Sequence, residues 1–415
     1  MGIFVQKNSM QLSVVFRSLR HRNFALFFFG QSVARIGMWM QRTAVIWYVY
    51  SITHSAFMIG IAAFAEQFPS FVFSIRGGIV ADRYNRYKVL MLTQFLSALQ
   101  AVLLAVFAFA GNANVTLILI LSVFLGIVNA YDVPVRQSMI NDIIEDKEDL
   151  PNGVALNSSL NTFARLIGPA LSGFVLAAFG VSYCFLANAI SFVAVIGAIA
   201  AMRFPDHIFT VRQSKGKGNL KEAISYLKTQ RTIIMVLVLI ALSNFLVLPF
   251  VTLLPVYAKE IFKGNASTYG WLNSAMGLGA FIGAFHLATS KTSTDFRKLL
   301  LLNTLILGVS LLPFAFVSNL YLSLLLLIVI GYSSITQTSI SMTIIQTQTH
   351  KEFRGRVMSI MAMSIFGMLP LGSLLIGKVS QVIGVSNTIF CEAIVGLVVA
   401  GIFSGLPSKA EVEIV

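Results

Sequence analysis

Long apolar runs separated by short polar loops fill the chain from residue 24 to residue 403. The pattern predicts twelve helical spans, at 24–50, 56–80, 88–111, 115–138, 151–180, 182–203, 232–261, 268–289, 296–317, 321–346, 355–382 and 386–403. Each is about as long as a helix needs to be to cross the hydrocarbon layer, and the longer ones imply tilt or protrusion. The alternating segments of about 10 residues that build a membrane β-barrel are absent from the sequence. The expected fold is therefore an all-α polytopic membrane protein. The longest polar stretch, 204–231, divides the spans six and six. That division predicts two six-helix bundles, 24–203 and 232–405, related by pseudo-twofold symmetry. A cytoplasmic segment (1–23) precedes them and a cytoplasmic tail (406–415) follows.

Charge then orients the spans. Loops after even-numbered spans carry Arg83, Arg86 and Lys88; Arg136 and Lys147; Lys291, Arg297 and Lys298; Lys351, Arg354 and Arg356. Loops after odd-numbered spans are almost free of bases, apart from Lys259 and Lys263. With Lys7, Arg17, Arg20 and Arg22 ahead of the first span, this asymmetry puts both termini in the cytoplasm of a cell whose inner membrane holds the protein. Within the linker, Leu220, Ala223, Ile224 and Leu227 recur at helical spacing among bases, which predicts an amphipathic helix lying on the membrane surface. Residues 212–218 read as a basic linker.

Composition narrows the class. The 415 residues are 57% hydrophobic and 11% charged, where a soluble chain carries about a quarter charged residues. The net charge of +14 sits in loops, so orientation and the lipid bilayer explain it, and nucleic acid is not an expected partner. Cys184 and Cys391 fall inside spans and read as free core thiols. The first apolar run is too long for a cleaved leader and reads as a permanent span. No phosphate-binding glycine loop, no metal spacing among the five histidines and no cofactor motif are found, so the chain does not read as an enzyme or an ATP-driven pump. Transport would be driven by a gradient.

Candidate chemistry centres on the first span. Gln31, Arg35, Met38 and Arg42 share one helical face. With a rise of about 1.5 Å per residue, Arg42 lies roughly 12 Å below the outer end, Arg35 roughly 22 Å, and Glu66 in the second span roughly 15 Å. An intramembrane acid at the depth of a base is a candidate proton-coupling pair. Two arginines against one acid leave a positive surplus, which suits an anionic or carbonyl-rich substrate. The fifth span carries Arg165, facing a cavity or a carbonyl cluster, and then Gly168, Pro169 and Gly173, which bend the helix and admit a neighbour. Asp132, at the end of the fourth span, is a natural partner for Arg86. Lys378 and Glu392, at similar depth, read as a structural pair. In the second half Asn244, Asn273, Gln337, Gln346, Met361, Met363 and Phe366 are candidate cavity residues, since Met, aromatic and amide side chains adapt to bulky amphiphiles.

One short loop carries the strongest motif. Gly77-Gly78-Ile79-Val80-Ala81-Asp82-Arg83-Tyr84-Asn85-Arg86-Tyr87-Lys88 joins the second and third spans, with Asn85 as an αL-tolerant turn residue. This G-x-x-x-D-R-x-x-R-x-K pattern resembles the signature loop of the major facilitator superfamily. The segments 17–31, 129–137, 165–169 and 354–358 are similar to its enterobactin-exporter and multidrug-efflux branch. The resemblance covers nearly the whole chain. It implies a conformational latch of Gly78, Asp82, Arg83, Arg86, Asp132 and Arg136 with Arg354, Gly355 and Arg356. It also implies that Gly168-Pro169 is a degenerate antiporter motif favouring export. The function expected is a monomeric secondary transporter that exports an amphipathic small molecule, drug or siderophore-like, by proton antiport. A lipid flippase of the same fold is the alternative; a receptor or intramembrane enzyme is the alternative of another class.

Overall fold

The computed structural model describes residues 16–203, 220–289, 295–350 and 352–404. Lys7, Arg212, Lys215, Lys217, Lys291 and Lys351, the first fifteen residues, most of the 204–231 linker and the expected tail lie outside these. The described residues form helices and no strand: α1 (Arg22–Thr53), α2 (Ala56–Arg83), α3 (Arg86–Phe109), α4 (Val115–Ile143), α5 (Leu150–Ala178), α6 (Val181–Ala200), α7 (Leu220–Thr229), α8 (Arg231–Leu246), α9 (Ala266–Thr289), α10 (Phe296–Phe314), α11 (Leu320–Gln348), α12 (Arg354–Ile383) and α13 (Val385–Phe403). After α8 the chain continues as a 3-10 turn (Leu248–Leu253) and a π turn (Tyr257–Ile261). Pro249 and Pro255 lack the N–H groups that a continuous α-helix would use there.

Side-chain oxygens set several helix starts. Asn85, Asn114, Asn319 and Asp295 each precede a helix and accept a backbone N–H from its first turn. Asn85 is therefore a cap, with φ −62° and extended backbone, and not the left-handed turn residue expected from its type. Gly180 and Gly384 do take positive φ, 91° and 83°, where α5 meets α6 and α12 meets α13.

Ten helical segments have the length and apolarity to cross a membrane. The protein is a multi-pass membrane protein. Of the twelve expected spans, α1 and α9 are long enough, at 32 and 24 residues, but less apolar. Gln31, Arg35, Gln41 and Thr43 dilute α1, and all four are buried. Large apolar residues such as Phe95, Phe174, Val193, Leu325 and Val398 face outward instead. Lipid is as apolar as those side chains, so the helices must be held by close packing and buried polar contacts.

The chain divides into two compact units, residues 1–44 with 72–214, and residues 45–71 with 215–415. In the first, Phe24, Phe27, Leu90, Val135, Met139 and Phe192 form the core. Gly77 packs on α4 so closely that a Cβ would overlap the Ala130 carbonyl. A buried amide chain adds to this: Asn188 donates to Gln41 at 2.8 Å, and Gln41 donates to Gln100 at 2.9 Å. In the second unit, Leu227, Ile233, Val236, Leu300, Ile344 and Phe403 share a core. There Gln337 donates to Ser243 at 3.2 Å and to Thr304 at 2.9 Å. The same unit takes in the α1–α2 turn, whose Gly60 lies against the Ser373 carbonyl, while Gly377 of α12 lies against the Ala56 carbonyl. Tyr50 donates to Glu260, and Gln381 donates to Ser55 at 2.7 Å.

The linker helix α7 is seated on the second unit. Leu227 is buried in the second unit's core, Tyr226 stacks on Phe353 at 4.5 Å, and Glu222 pairs with Arg356 at 3.0 Å. At the other end of the chain, residues 17–21 are tied down by Asp149, the residue before α5. Arg17, Arg20 and His21 all reach its carboxylate, and Ser18 donates to its carbonyl at 2.8 Å. Burial pushes the Asp149 carboxyl up. Hydrogen bonds from His21 and Arg17 and the charges of Arg17 and Arg20 outweigh that, and hold it below the ordinary carboxylate value.

Candidate functional site

The candidate site residues of the first unit lie along α1. Gln31 and Arg35 are buried on one face, at 2% and 5% exposure. Arg35 is fixed by α5: Nη1 donates to the Asn157 carbonyl at 2.9 Å and Nη2 to Asn157 Oδ1 at 2.6 Å. Arg136 on α4 donates from Nη1 to Gln31 Oε1 at 3.4 Å, and its Nε lies 3.0 Å from Asp132 Oδ2. Asp132 Oδ1 also accepts from Thr93 at 2.9 Å and Gln94 at 2.7 Å. The structure thus joins α1, α3, α4 and α5 through one buried charged network. Asn157, Thr93 and Gln94 are not among the sequence candidates: each is one polar residue in an apolar span, and only the packing of α3 and α5 shows that it meets a charge.

Two further arginines meet at Trp39. The guanidinium of Arg42 stands 5.3 Å from the ring centroid and that of Arg165 5.8 Å. Gly168 makes this possible, since a Cβ there would press within 2.5 Å of Trp39 Cβ. Pro169 and Gly173 are buried beside it in α5. Met38 is half-buried and packs on the core. Glu66, half-buried on α2, is engaged in an interaction of its own.

The signature loop is built differently from the expectation. Arg86 pairs with Asp142 at 2.8 Å and donates to the Ala81 carbonyl at 2.9 Å, so Asp132 is not its partner. The reason is length: α4 runs on to Ile143, which brings Asp142 to the level of Arg86 and leaves Asp132 about 15 Å deeper along the helix. Gly78 has nothing within 4 Å of a Cβ position; Gly77 is the packing glycine. Asp82 and Arg83 are exposed. On α12, Arg354 and Gly355 are exposed and Arg356 is held by Glu222 and stands over the Phe353 ring.

Candidates in the second unit scatter. Gln337 and Met361 are enclosed in helix packing and Asn244 donates to its own helix at the Ile240 carbonyl, so these three do not line an open cavity. Asn273 is half-buried and donates to the Tyr269 carbonyl. Gln346, Met363 and Phe366 are exposed. Lys378 stands over the Phe57 ring at 5.6 Å, so the expected pair with Glu392 does not form. Glu392 is 2% exposed, and neither carboxyl oxygen has a hydrogen-bond partner among the described residues. Cys391 is exposed, while Cys184 is buried as expected.

Comparison with known proteins gives this arrangement its context. The chain is 27% identical over 396 residues to the staphyloferrin A transporter of Staphylococcus aureus, covering 94% of this chain and 97% of that one. It is 24% identical to the multidrug efflux pump Tap of Mycolicibacterium fortuitum, again covering 94% and 97%. Its fold is similar to that of a POT family transporter crystallised with 5-aminolevulinic acid, with a TM-score of 0.73 at 13% identity over 92% of this chain and 95% of that one. The family described as transmembrane secretion effector matches residues 13–413. The chain belongs to that family of major facilitator efflux transporters.

Proposed function

We propose that this protein exports an amphipathic small molecule by proton antiport, alternating access between two states of a twelve-helix, two-bundle arrangement. One observation carries the reading: a lipid-immersed helical protein that keeps four arginines, Arg35, Arg42, Arg136 and Arg165, buried or half-buried in one unit while many apolar side chains face out. Charges held at that expense mark a path for a polar cargo or ion. In this reading Glu66 carries the proton, both termini are cytoplasmic, and Asp82 with its loop controls the conformational balance. The lipid-flippase alternative draws on the basic linker helix and on the buried arginines; in the structure Leu227 and Tyr226 of that helix pack on protein.

The test is transport into proteoliposomes under an imposed pH gradient. The wild-type chain is expected to move cargo only with the gradient, and Glu66→Gln to lose at least about tenfold of that rate, the scale of one lost ionic step. Undiminished gradient-driven transport in Glu66→Gln would remove Glu66 from the coupling role.

A further inference from the structure

The interior of the first unit holds more positive charge than its acid balances. Arg35 and Arg136 lie within electrostatic reach of each other and of Asp132. The oxygens of Asp132 are already occupied by Thr93, Gln94 and Arg136. One carboxylate against two guanidiniums leaves one positive charge over. Inside a protein that lipid surrounds, such a charge must be met by an anion, by water or by carbonyl dipoles.

Asn157 already gives Arg35 two neutral oxygens, which bring no compensating charge, and the unpartnered atoms discriminate between the other two. Arg35 has spent both terminal nitrogens on Asn157, and its Nε has no acceptor. Gln31 accepts from Arg136 through Oε1, and its Nε2 has no acceptor. Both side chains are more than nine-tenths buried. In this network Gln94 Oε1 is the unpartnered acceptor; the free ends on Gln31 and Arg35 are donors. An oxyanion brings acceptors only and a compensating charge, so it satisfies donors and surplus together. A water would satisfy the donors and leave the charge. The second cation pair extends the same face: Arg42 lies seven residues beyond Arg35, about 10 Å along the helix, and shares Trp39 with Arg165.

We infer that the cargo carries an anionic oxygen group, a carboxylate, sulfonate or phosphate, and that Gln31, Arg35 and Arg136 hold it. This rests on the transporter reading above and names the substrate class for it.

The probes are calcein, a soluble polycarboxylate dye, and ethidium, an amphipathic cation. Binding is measured by fluorescence anisotropy with the full chain in nanodiscs of phosphatidylcholine. Calcein is expected to bind, and Arg35→Gln and Arg136→Gln each to weaken it by at least about tenfold, one ionic contact's worth. Asn157→Ala separates recognition from scaffolding. If Arg35 only props α5 against α1, Asn157→Ala and Arg35→Gln lose calcein equally, and the inference fails. If Arg35 binds the anion, Asn157→Ala loses less and Arg35→Lys recovers part of the loss. Binding of ethidium without calcein overturns the inference. Calcein binding that survives added phosphatidylglycerol assigns the site to a soluble cargo; displacement by that lipid assigns the same oxyanion chemistry to a headgroup. In proteoliposomes, a pH gradient that moves ethidium while calcein neither binds nor moves sinks the anion site and leaves proton-driven export standing. Calcein bound through Arg35 and indifferent to the gradient supports the anion site and sinks proton antiport.

Discussion

The two units solve the same packing problem with different chemistry. Each must hold helices together where lipid removes the hydrophobic drive, and each brings glycines onto carbonyls to do so, Gly77 on Ala130 in the first and Gly279 on Ile328 in the second. Their polar interiors then diverge. The first unit is ionic, with Arg35, Arg136 and Asp132 in one network and Arg42 and Arg165 at Trp39. The second is mostly neutral, with Gln337 on Ser243 and Thr304 and Thr252 on Ser373; beside these it buries Arg297 and Glu392, the latter with no hydrogen-bond partner among the described residues. The first unit gathers its buried charge into one network, whereas most buried polar contacts of the second are neutral, which is the reason to look for cargo in the first.

The contrast is sharpest at the two buried acids. Asp132→Asn leaves two arginines uncompensated and is expected to cost about 3–5 kcal/mol, read as a large fall in melting temperature by fluorescence-detected size exclusion. Glu392→Gln removes no ion pair and is expected to shift melting by less than about 2 °C. Equal losses at both acids would erase the distinction between an ionic and a neutral interior. The shared feature gives the next largest effect. Gly77→Ala and Gly279→Ala each force a Cβ into a carbonyl and are expected to cost about 1–3 kcal/mol, alike in the two units. Gly78→Ala, with open space around it, serves as the control.

The smallest effect lies at the rim of the first unit, where its ionic habit continues outside the membrane. The Asp149 carboxyl sits below its ordinary value in the folded protein, so its contribution is full above about pH 4 and is lost as pH falls through the folded value. Hydrogen exchange of residues 16–23, corrected for intrinsic rates, is expected to rise on acidification below that point. Asp149→Asn should raise it already at neutral pH and reduce the acid response to what the exposed pairs of Arg20 with Asp146 and Arg17 with Glu148 supply. Protection that stays flat with pH in the wild type would show that Ser18 and Asn152 hold the segment without the charge.

Much of the fold was legible because apolar run length and loop charge are local signals. So was the α1 face, since Gln31, Arg35 and Arg42 fall at helical spacing and two of them are buried together. Partner choice was not legible. Whether Arg86 meets Asp132 or Asp142 depends on where α4 stops, and one further turn decides it. Whether Gly77 or Gly78 packs depends on helix rotation, which two adjacent glycines leave open. Lys378 and Glu392 share a depth but point to different neighbours, a fact of azimuth that depth cannot supply.

The glycine contacts where the α1–α2 turn meets α12 have a mechanical consequence. Gly60 on Ser373, Gly377 on Ala56 and Gly367 on Phe71 bring backbone to backbone or ring with no long side chain between them. Attraction of this kind is short-ranged, and a gap of about 0.5–1 Å forfeits a quarter to a half of it. These contacts have no slack to pay out, so they hold at full strength only when seated; the longer side chains beside them, Gln381 on Ser55 and Lys378 over Phe57, are the ones that can stretch and follow.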